Sequence, residues 1–512
     1  MKRFISILVT IAMLVSLLAS MTFSISAESY EGTWGDLTWT LDSKTGELII
    51  SGEGEMDKLS SFSNNAWRTH SNLITTVTIN DGITSIANNA FYECYNLKSI
   101  YIPDSVTSIG NYSFYTCFAL TSINITKGIE SIGEEALYGC KNLTNITVDE
   151  NNTYYKSIDG NLYSKDAKTL ILYATGKSEN SFNIPAGVKI IGDYAFSACN
   201  NLTSIIIPDS VTDIKYRAFQ SCRSLKSINI PESVLNVDAD AFFGCSGLKS
   251  VTISKNQSWI YSGTFYNCTA LKTVNIPNSI KNITWGAFEG CSTLSNVNYY
   301  GIENDWNDVI IDSNNDYLLK ARVNYFYGSK TFDSASVRIS SEYPGLRFKT
   351  AVTQDVLDEL AGIYGKENLR IGTIIVPADT VTTLDVVTVA ALDEANIKYM
   401  NIPANIDLPF SSDGTTNIYA GSLVNIKEAN LDRDFIGIGY IAATKNNGDV
   451  IYYYSSSSAT RNVSYIASCA IEDTNETQEN EYKYEISVGE TICYSPYTET
   501  QREILDKLIV KK

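Results

Sequence analysis

Ten cysteines and a single histidine are among the side chains of this chain that could bind a metal, form disulfides or act as nucleophiles. One histidine leaves little room for a histidine metal site or for several acid–base centres. The sequence contains no Cys-x-x-Cys pair, no Gly-x-Ser-x-Gly elbow and no phosphate-binding loop. We therefore predict no catalytic residue, no metal site and no cofactor, and we expect the protein not to be an enzyme.

Eight of the cysteines recur at a fixed interval. Neighbouring members lie 23 residues apart, except for one interval of 59 residues. We call this set the cysteine ladder: Cys94, Cys117, Cys140, Cys199, Cys222, Cys245, Cys268 and Cys291. A period of this length is typical of a solenoid, in which each repeat forms one coil. The long interval holds one regular coil and one coil of 36 residues, with Tyr173 at the phenylalanine position, Gly176 at the cysteine position and a hairpin at Asp159-Gly160.

The residues around each cysteine repeat with it and predict a stack of parallel strands. Ala90 to Pro103 reads AFYECYNLKSIYIP, and Ala218 to Pro231 reads AFQSCRSLKSINIP. Because side chains alternate along a strand, Ile100 and Ile102 share one face, which points into the coil. Each coil completes the core of its neighbour. The sequence predicts about ten such coils, and His70 takes the cysteine position of a longer first coil, as a packing residue.

The ladder cysteines could be disulfide-bonded between coils or remain as buried thiols. Adjacent coils would bring their Cα atoms within disulfide range. Stacked identical side chains, however, point in parallel rather than toward one another. We interpret them as buried thiols, and disulfides remain the alternative.

The N-terminus has the order of a secretory signal. Lys2 and Arg3 precede an apolar run from Phe4 to Leu18, and small residues lead to Ser26-Ala27. We predict a signal peptide over residues 1–27, with an uncleaved anchor as the alternative. The mature chain has no second apolar run of about 20 residues, so we expect no membrane span after cleavage.

The repeat unit resembles the 23-residue leucine-rich repeat of BspA-type (Treponema pallidum-type) bacterial surface proteins, over roughly Trp67 to Tyr327. The segment Thr33 to Met56 resembles the capping strands of that family, with a turn at Ser43-Lys44-Thr45-Gly46. We predict capping strands over residues 28–60 and a solenoid with its closing segment over 61–328. The resemblance implies adhesion or ligand recognition by an exported protein, secreted or on the cell surface, rather than catalysis.

Residues 329–512 lack the period and predict a C-terminal β-rich domain of α+β or β-sandwich type, so that the fold class is mainly β. The pattern predicts a helix over Gln354–Leu360 and strands over Ile371–Val376, Phe435–Ala442 and Val450–Tyr454. A capping box predicts a last helix from Thr498. Cys469 and Cys493 lie outside the ladder, and their pairing stays open.

The outward side chains of the long strands form the candidate binding surface. They lie between the two core positions of each strand: Tyr101, Asn124, Thr147, Asn183, Ile206, Asn229, Thr252, Asn275 and Asn298. This surface is small, polar and nearly uncharged, and a solvated sheet without ligand is the alternative.

The composition restricts the partners. With 39 Lys+Arg and 57 Asp+Glu the net charge is −18, which disfavours nucleic acid. We expect a monomer that recognises a host or bacterial surface protein or glycan. The alternative function is an extracellular hydrolase whose catalytic C-terminal domain is targeted by the repeats.

Overall fold

The computed structural model describes residues 29–56, 66–331, 337–338 and 345–461, except 385, 425 and 427–429. Two compact units form among these residues. The first takes the described chain up to Thr203 together with Asp213–Ser224, and the second takes Ser204–Thr212 and the described chain from Leu225 onward.

Short strands dominate the chain up to residue 331. In chain order they are β1 (Ser29–Trp34), β2 (Leu37–Asp42), β3 (Glu47–Ser51), β4 (Gly54–Glu55), β5 (Thr76–Ile79), β6 (Ile83–Ile86), β7 (Ser99–Tyr101), β8 (Ser108–Ile109), β9 (Ser122–Ile125), β10 (Ser131–Ile132), β11 (Asn145–Val148), β12 (Tyr155–Ile158), β13 (Asn161–Ser164), β14 (Thr169–Leu172), β15 (Ser181–Asn183), β16 (Ile190–Ile191), β17 (Ser204–Ile206), β18 (Asp213–Ile214), β19 (Ser227–Asn229), β20 (Asn236–Val237), β21 (Ser250–Thr252), β22 (Trp259–Ile260), β23 (Thr273–Pro277), β24 (Asn282–Ile283), β25 (Asn296–Tyr300), β26 (Ile310–Ile311), β27 (Arg322–Phe326) and β28 (Ser329–Thr331). Two short helices lie before β27: α1 (Glu303–Asn307) and α2 (Asp316–Lys320).

Longer strands and two more helices follow. The strands are β29 (Val337–Arg338), β30 (Gly345–Thr353), β31 (Leu369–Pro377), β32 (Met400–Ala404), β33 (Ser411–Ser412), β34 (Thr416–Val424), β35 (Phe435–Thr444), β36 (Val450–Tyr454) and β37 (Ala459–Arg461). The helices are α3 (Gln354–Tyr364) and α4 (Val389–Glu394). Single 3₁₀ turns cover Arg68–His70, Lys366–Asn368 and Ala378–Thr380.

The N-terminal strands cover the first coil of the first unit. Strands β1 and β2 pair antiparallel, β2 and β3 pair antiparallel, and β3 then pairs parallel with β5. The predicted turn before β3 is present, because the Asp42 carboxylate accepts from the backbone N–H of Lys44 at 2.7 Å and Gly46 has φ +73°. Trp34 meets Trp67 edge-on at 4.7 Å and so closes the apolar end of the stack.

Every regular coil turns a corner in the left-handed backbone region instead of through a helix. Two positions per coil have positive φ, as at Tyr112 (55°) and Thr116 (58°). The residue between them is buried, and in most coils it is a phenylalanine that stacks on its counterpart one coil away, as Phe91 does on Phe114 with centroids 5.3 Å apart. The corner therefore fixes both the chain direction and the aromatic core of the stack.

The 36-residue coil departs from this plan in the way that the sequence predicts. Strands β12 and β13 form an antiparallel hairpin whose turn residues Asp159 and Gly160 have φ 49° and 71°. Tyr173 takes the phenylalanine position and stacks on Phe196 at 5.4 Å. A Cβ on Gly176 would lie 2.3 Å from the carbonyl carbon of Asn142, so the backbone of the adjacent coil fits only against a glycine.

The first coil differs from its prediction. Trp67 does take the phenylalanine position, because its ring stacks on Phe91 at 5.6 Å. His70, however, is half-buried and stacks on Tyr30 with centroids 3.9 Å apart, while Ser71 is buried. The backbone of His70 nevertheless takes the cysteine position, because His70 N donates to Trp67 O as Cys94 N does to Phe91 O. The extra residue of this coil follows His70, so that Ile74 is buried and Leu73 is exposed.

In the second unit, the sheet of the solenoid continues into the C-terminal strands. Strands β19, β21, β23, β25 and β27 pair parallel in that order, and β27 then pairs parallel with β36. Beyond β36 the order is β35, β31 and β32, all antiparallel, with β37 on β35. The predicted strand runs therefore exist, and the hydrogen bonds of one sheet cross the predicted boundary at residues 328/329.

A second sheet makes this part a β-sandwich. It has the order β28-β30-β34-β33, with β29 on β30. A Cβ on Gly437 would lie 2.2 Å from the Phe348 ring, so glycines in β35 let the two sheets approach. Helix α3 contains the predicted helix over Gln354–Leu360 and packs its buried residues Val356, Leu357 and Leu360 inward.

The predicted fold class is confirmed: the described chain is mainly β, with a solenoid of about eleven turns followed by strands and a few helices. The domain boundaries 1–27, 28–60, 61–328 and 329–512 stay predictions. The signal peptide, Cys469, Cys493 and the helix from Thr498 lie outside the described residues. Over the described chain, no helix is long and apolar enough to cross a membrane.

Candidate ligand-binding surface

The cysteine ladder lies inside the coils. All eight cysteines are buried, reduced thiols. Thiols of neighbouring coils donate to phenylalanine carbonyls, as Cys117 Sγ does to Phe91 O at 3.2 Å and Cys268 Sγ does to Phe242 O at 3.3 Å. Burial raises the pKa of the Cys94 and Cys140 thiols to about 12. These groups are packed, neutral hydrogen-bond donors and offer no nucleophile to a ligand.

The outward strand positions of the first unit are exposed. Tyr101 has 60% of its surface exposed, and Asn124, Thr147 and Asn183 are exposed as well. Thr147 lies opposite Asn124 on the neighbouring strand and donates to its Oδ1 at 2.8 Å. Side chains of adjacent coils thus hydrogen-bond to one another and still face solvent.

The second unit carries a longer row of such side chains. Ile206, Asn229 and Thr252 are exposed, and Asn275 is half-buried. The Nδ2 group of Asn275 donates to Thr252 Oγ1 at 3.0 Å, and strand pairing places Asn229, Thr252 and Asn275 directly beside one another. We call Asn229, Thr252 and Asn275 the polar face. It offers amide and hydroxyl groups at the spacing of adjacent strands, about 4.8 Å.

Asn298 does not belong to an exposed surface, which corrects the prediction for this residue. Only 5% of it is exposed. Its Nδ2 donates to Asn275 Oδ1 at 2.8 Å, and its Oδ1 accepts from Asn324 at 3.1 Å. The physical reason is the next strand, β27, which brings Asn324 against it and extends the row into buried surroundings.

A groove lies beside this buried end of the row. Its volume is about 550 Å³, and its lining includes Asn296, Leu384 and Ala391. Arg322 and Glu394 form an ion pair across it at 2.9 Å. The segment that contains α4 therefore lies beside the start of β25, the strand next to the one that carries Asn275.

A row of three lysines borders the polar face, and our sequence reasoning missed it. Lys226, Lys249 and Lys272 immediately precede strands β19, β21 and β23, and all three are exposed. The backbone N–H of Lys249 donates to Lys226 O at 2.8 Å, and that of Lys272 donates to Lys249 O at 2.9 Å, so the residues lie in register. The 23-residue spacing of these lysines was the signal that could have found them.

The lysine row places three positive charges at the starts of adjacent strands, in a chain of net charge −18. Like charges on neighbouring strands repel one another and destabilise the sheet. An anionic ligand would relieve this repulsion, while the adjacent amides and hydroxyls could hydrogen-bond to it. In the part of the chain that the structure describes, no three His, Cys, Asp or Glu side chains come together as a metal site.

Comparison with known proteins identifies the repeats. A family model described as "BspA type Leucine rich repeat region" matches residues 58–165 and 172–295 in six copies. No curated protein matches the chain.

Three solved structures share similarity with part of the chain. A leucine-rich repeat protein from Eubacterium ventriosum is 24% identical, with a TM-score of 0.44, over 58% of this chain and 95% of the other. A leucine-rich cell surface protein from Faecalibacterium prausnitzii is 24% identical, with a TM-score of 0.42, over 55% and 97%. The pneumococcal vaccine antigen PcpA is 16% identical, with a TM-score of 0.36, over 57% and 98%. At these identities nothing about ligands follows from the similarity.

Proposed function

We propose that this chain, which carries a BspA-type leucine-rich repeat region, is an exported bacterial protein. It recognises an anionic surface ligand without catalysis. The ligand is a glycan or protein segment with carboxylate, sulfate or phosphate groups. It binds to the polar face and to the lysine row beside it. The protein is located on the cell surface or in the medium, and its signal-like N-terminus supports export.

One observation carries this proposal: three exposed lysines lie in register beside three uncharged polar side chains on adjacent strands. Lys249 immediately precedes β21, which carries Thr252. The neighbouring strands repeat this arrangement with Lys226 and Asn229, and with Lys272 and Asn275. The ammonium groups of the lysine row attract the negative charge of a ligand without fixing the orientation of that ligand. The amides and hydroxyls of the polar face set the orientation. Strands about 4.8 Å apart suit a ligand whose groups repeat at a similar distance.

The experiment uses the mature chain on an array of acidic glycans, neutral glycans and matrix proteins. The test variant is Asn229→Glu/Thr252→Glu/Asn275→Glu, which places three carboxylates on the polar face. The matched control is Ser258→Glu/Thr269→Glu/Asn278→Glu, since these exposed residues carry the same charge change outside β19, β21 and β23. We expect the test variant to lose binding and the control to retain it. Equal binding by both variants would exclude this face as the site.

A further inference from the structure

We propose that the first unit contains a second site, at the 36-residue coil, which binds a small aromatic amine. The site is a cavity of about 280 Å³ that the 36-residue coil and its neighbours line.

The cavity follows from one missing corner. Regular coils place a residue with positive φ at equivalent positions, among them Tyr112 and Glu135 on one side and Tyr194 and Arg217 on the other. Their backbones stack in pairs, as Tyr112 N donates to Glu134 O and Tyr194 N donates to Tyr216 O. The 36-residue coil between these pairs makes no such corner. Because coils are about 4.8 Å apart, its absence leaves an opening one coil thick.

The walls of the opening are mostly apolar. Its lining includes Ile132 and Leu137 from one neighbouring coil and Leu162, Ile171 and Leu172 from the hairpin and the strand after it. An apolar cavity of about 150 Å³ holds benzene. A volume of about 280 Å³ therefore has room for two fused rings.

The mouth of the cavity is acidic. Glu134, Glu135 and Asp193 belong to its lining, and Glu134 and Asp193 are exposed. Burial raises the pKa of Glu135, against smaller lowering effects from its hydrogen bond with Tyr194 and from the charge of Arg217. Glu134 and Glu135 thus bring two adjacent carboxylates to the mouth, and the charge of Arg217 acts on Glu135. This acidic lining complements an ammonium group.

Together these features select a ligand with flat apolar rings and a cationic head. The rings occupy the cavity, and the ammonium donates to the Glu135 carboxylate at its mouth. Tryptamine is the probe. Two molecules with the same ring system are its comparators: tryptophol, which has a neutral hydroxyl head, and indole-3-propionate, which has an anionic head.

Calorimetric titration of the full mature chain tests the proposal. We expect tryptamine to bind about tenfold more tightly than tryptophol, since a charge-assisted hydrogen bond exceeds a neutral one by roughly this factor. Indole-3-propionate should give no measurable binding. Absence of tryptamine binding, or equal binding of all three molecules, would overturn the proposal.

Three variants locate the site. Leu172→Trp fills the cavity and should abolish tryptamine binding, while Glu135→Gln should reduce the preference for tryptamine over tryptophol to about twofold or less. Glu179→Gln, at an exposed residue outside the lining, removes the same charge and should change nothing. Circular dichroism checks that each variant is folded. Unchanged tryptamine binding by a folded Glu135→Gln protein would refute the assignment even if Leu172→Trp fails to fold.

Discussion

The packing of the cysteine ladder predicts that its thiols resist modification as long as the protein is folded. Burial raises the pKa of Cys94, Cys140 and Cys291 from 9.0 to about 12 and raises that of Cys117, Cys199 and Cys268 well above 9.0. At pH 8 a rise of three units lowers the thiolate fraction about a thousandfold. Exclusion of the reagent from the core slows the reaction further. Unfolding restores ordinary reactivity.

The assay is iodoacetamide labelling at pH 8, followed by intact-mass analysis with and without denaturant. We expect at most two rapid additions to the native chain, at Cys469 and Cys493, and eight more after denaturation. The labelling rate of the eight should increase with denaturant in parallel with unfolding measured by circular dichroism. Rapid labelling of three or more native thiols would refute this reasoning. So would a denatured mass that shows disulfides among the eight.

Three further predictions concern stability. Phe265 is fully buried and stacks on neighbouring phenylalanines at 5.5 and 5.3 Å, so Phe265→Ala should lower the free energy of unfolding by about 3–5 kcal/mol. The control is Phe243→Ala, because Phe243 is only half-buried. An equal loss of stability in the two variants would contradict the larger contribution of the buried ring. Gly176→Ala should destabilise the protein, because the new Cβ would meet the Asn142 backbone at 2.3 Å. An unchanged denaturation midpoint would contradict this close approach of the two backbones. The hydrogen bond to Glu303 raises the pKa of Lys445. The ion pair therefore contributes fully to the free energy of unfolding below the unfolded pKa of about 10.5, and this contribution is lost as pH rises through the higher folded pKa. Lys445→Met should lower the free energy of unfolding by about 1 kcal/mol at pH 7 and by less above pH 11, and a pH-independent difference would contradict a stabilising ion pair.

The solenoid could be predicted because its signal is periodic. Each coil repeats the same buried residues, so the period that the cysteines reveal also places Phe91, Ile102 and their equivalents in the core. The irregular coil was predictable as well, since the register resumes after it and fixes the positions of Tyr173 and Gly176. Helix α3 and strands β31, β35 and β36 followed from local apolar patterns.

Features that depend on distant residues could not be predicted. The pairing of β27 with β36 joins residues more than a hundred positions apart, and no local pattern encodes it. That continuation also explains why Asn298 is buried although it occupies an outward position. The stacking of His70 on Tyr30 could not be predicted either, because it depends on strand β1, which lies far from His70 in the sequence. The cavity at the 36-residue coil arises from a missing corner, which is visible only when neighbouring coils are stacked.

The most direct test of the proposed function is the salt dependence of binding to the acidic ligand that the array identifies. The variant Lys226→Gln/Lys249→Gln/Lys272→Gln removes the lysine row. Its control, Lys255→Gln/Lys281→Gln/Lys320→Gln, removes three exposed lysines elsewhere.

Binding by the unmodified chain should weaken as salt rises, because exposed charges are screened. The lysine-row variant should bind about tenfold more weakly at low salt and lose most of that dependence, while the control keeps both. Binding that is insensitive to salt, or equal losses in the two variants, would contradict recognition of an anionic ligand by this surface.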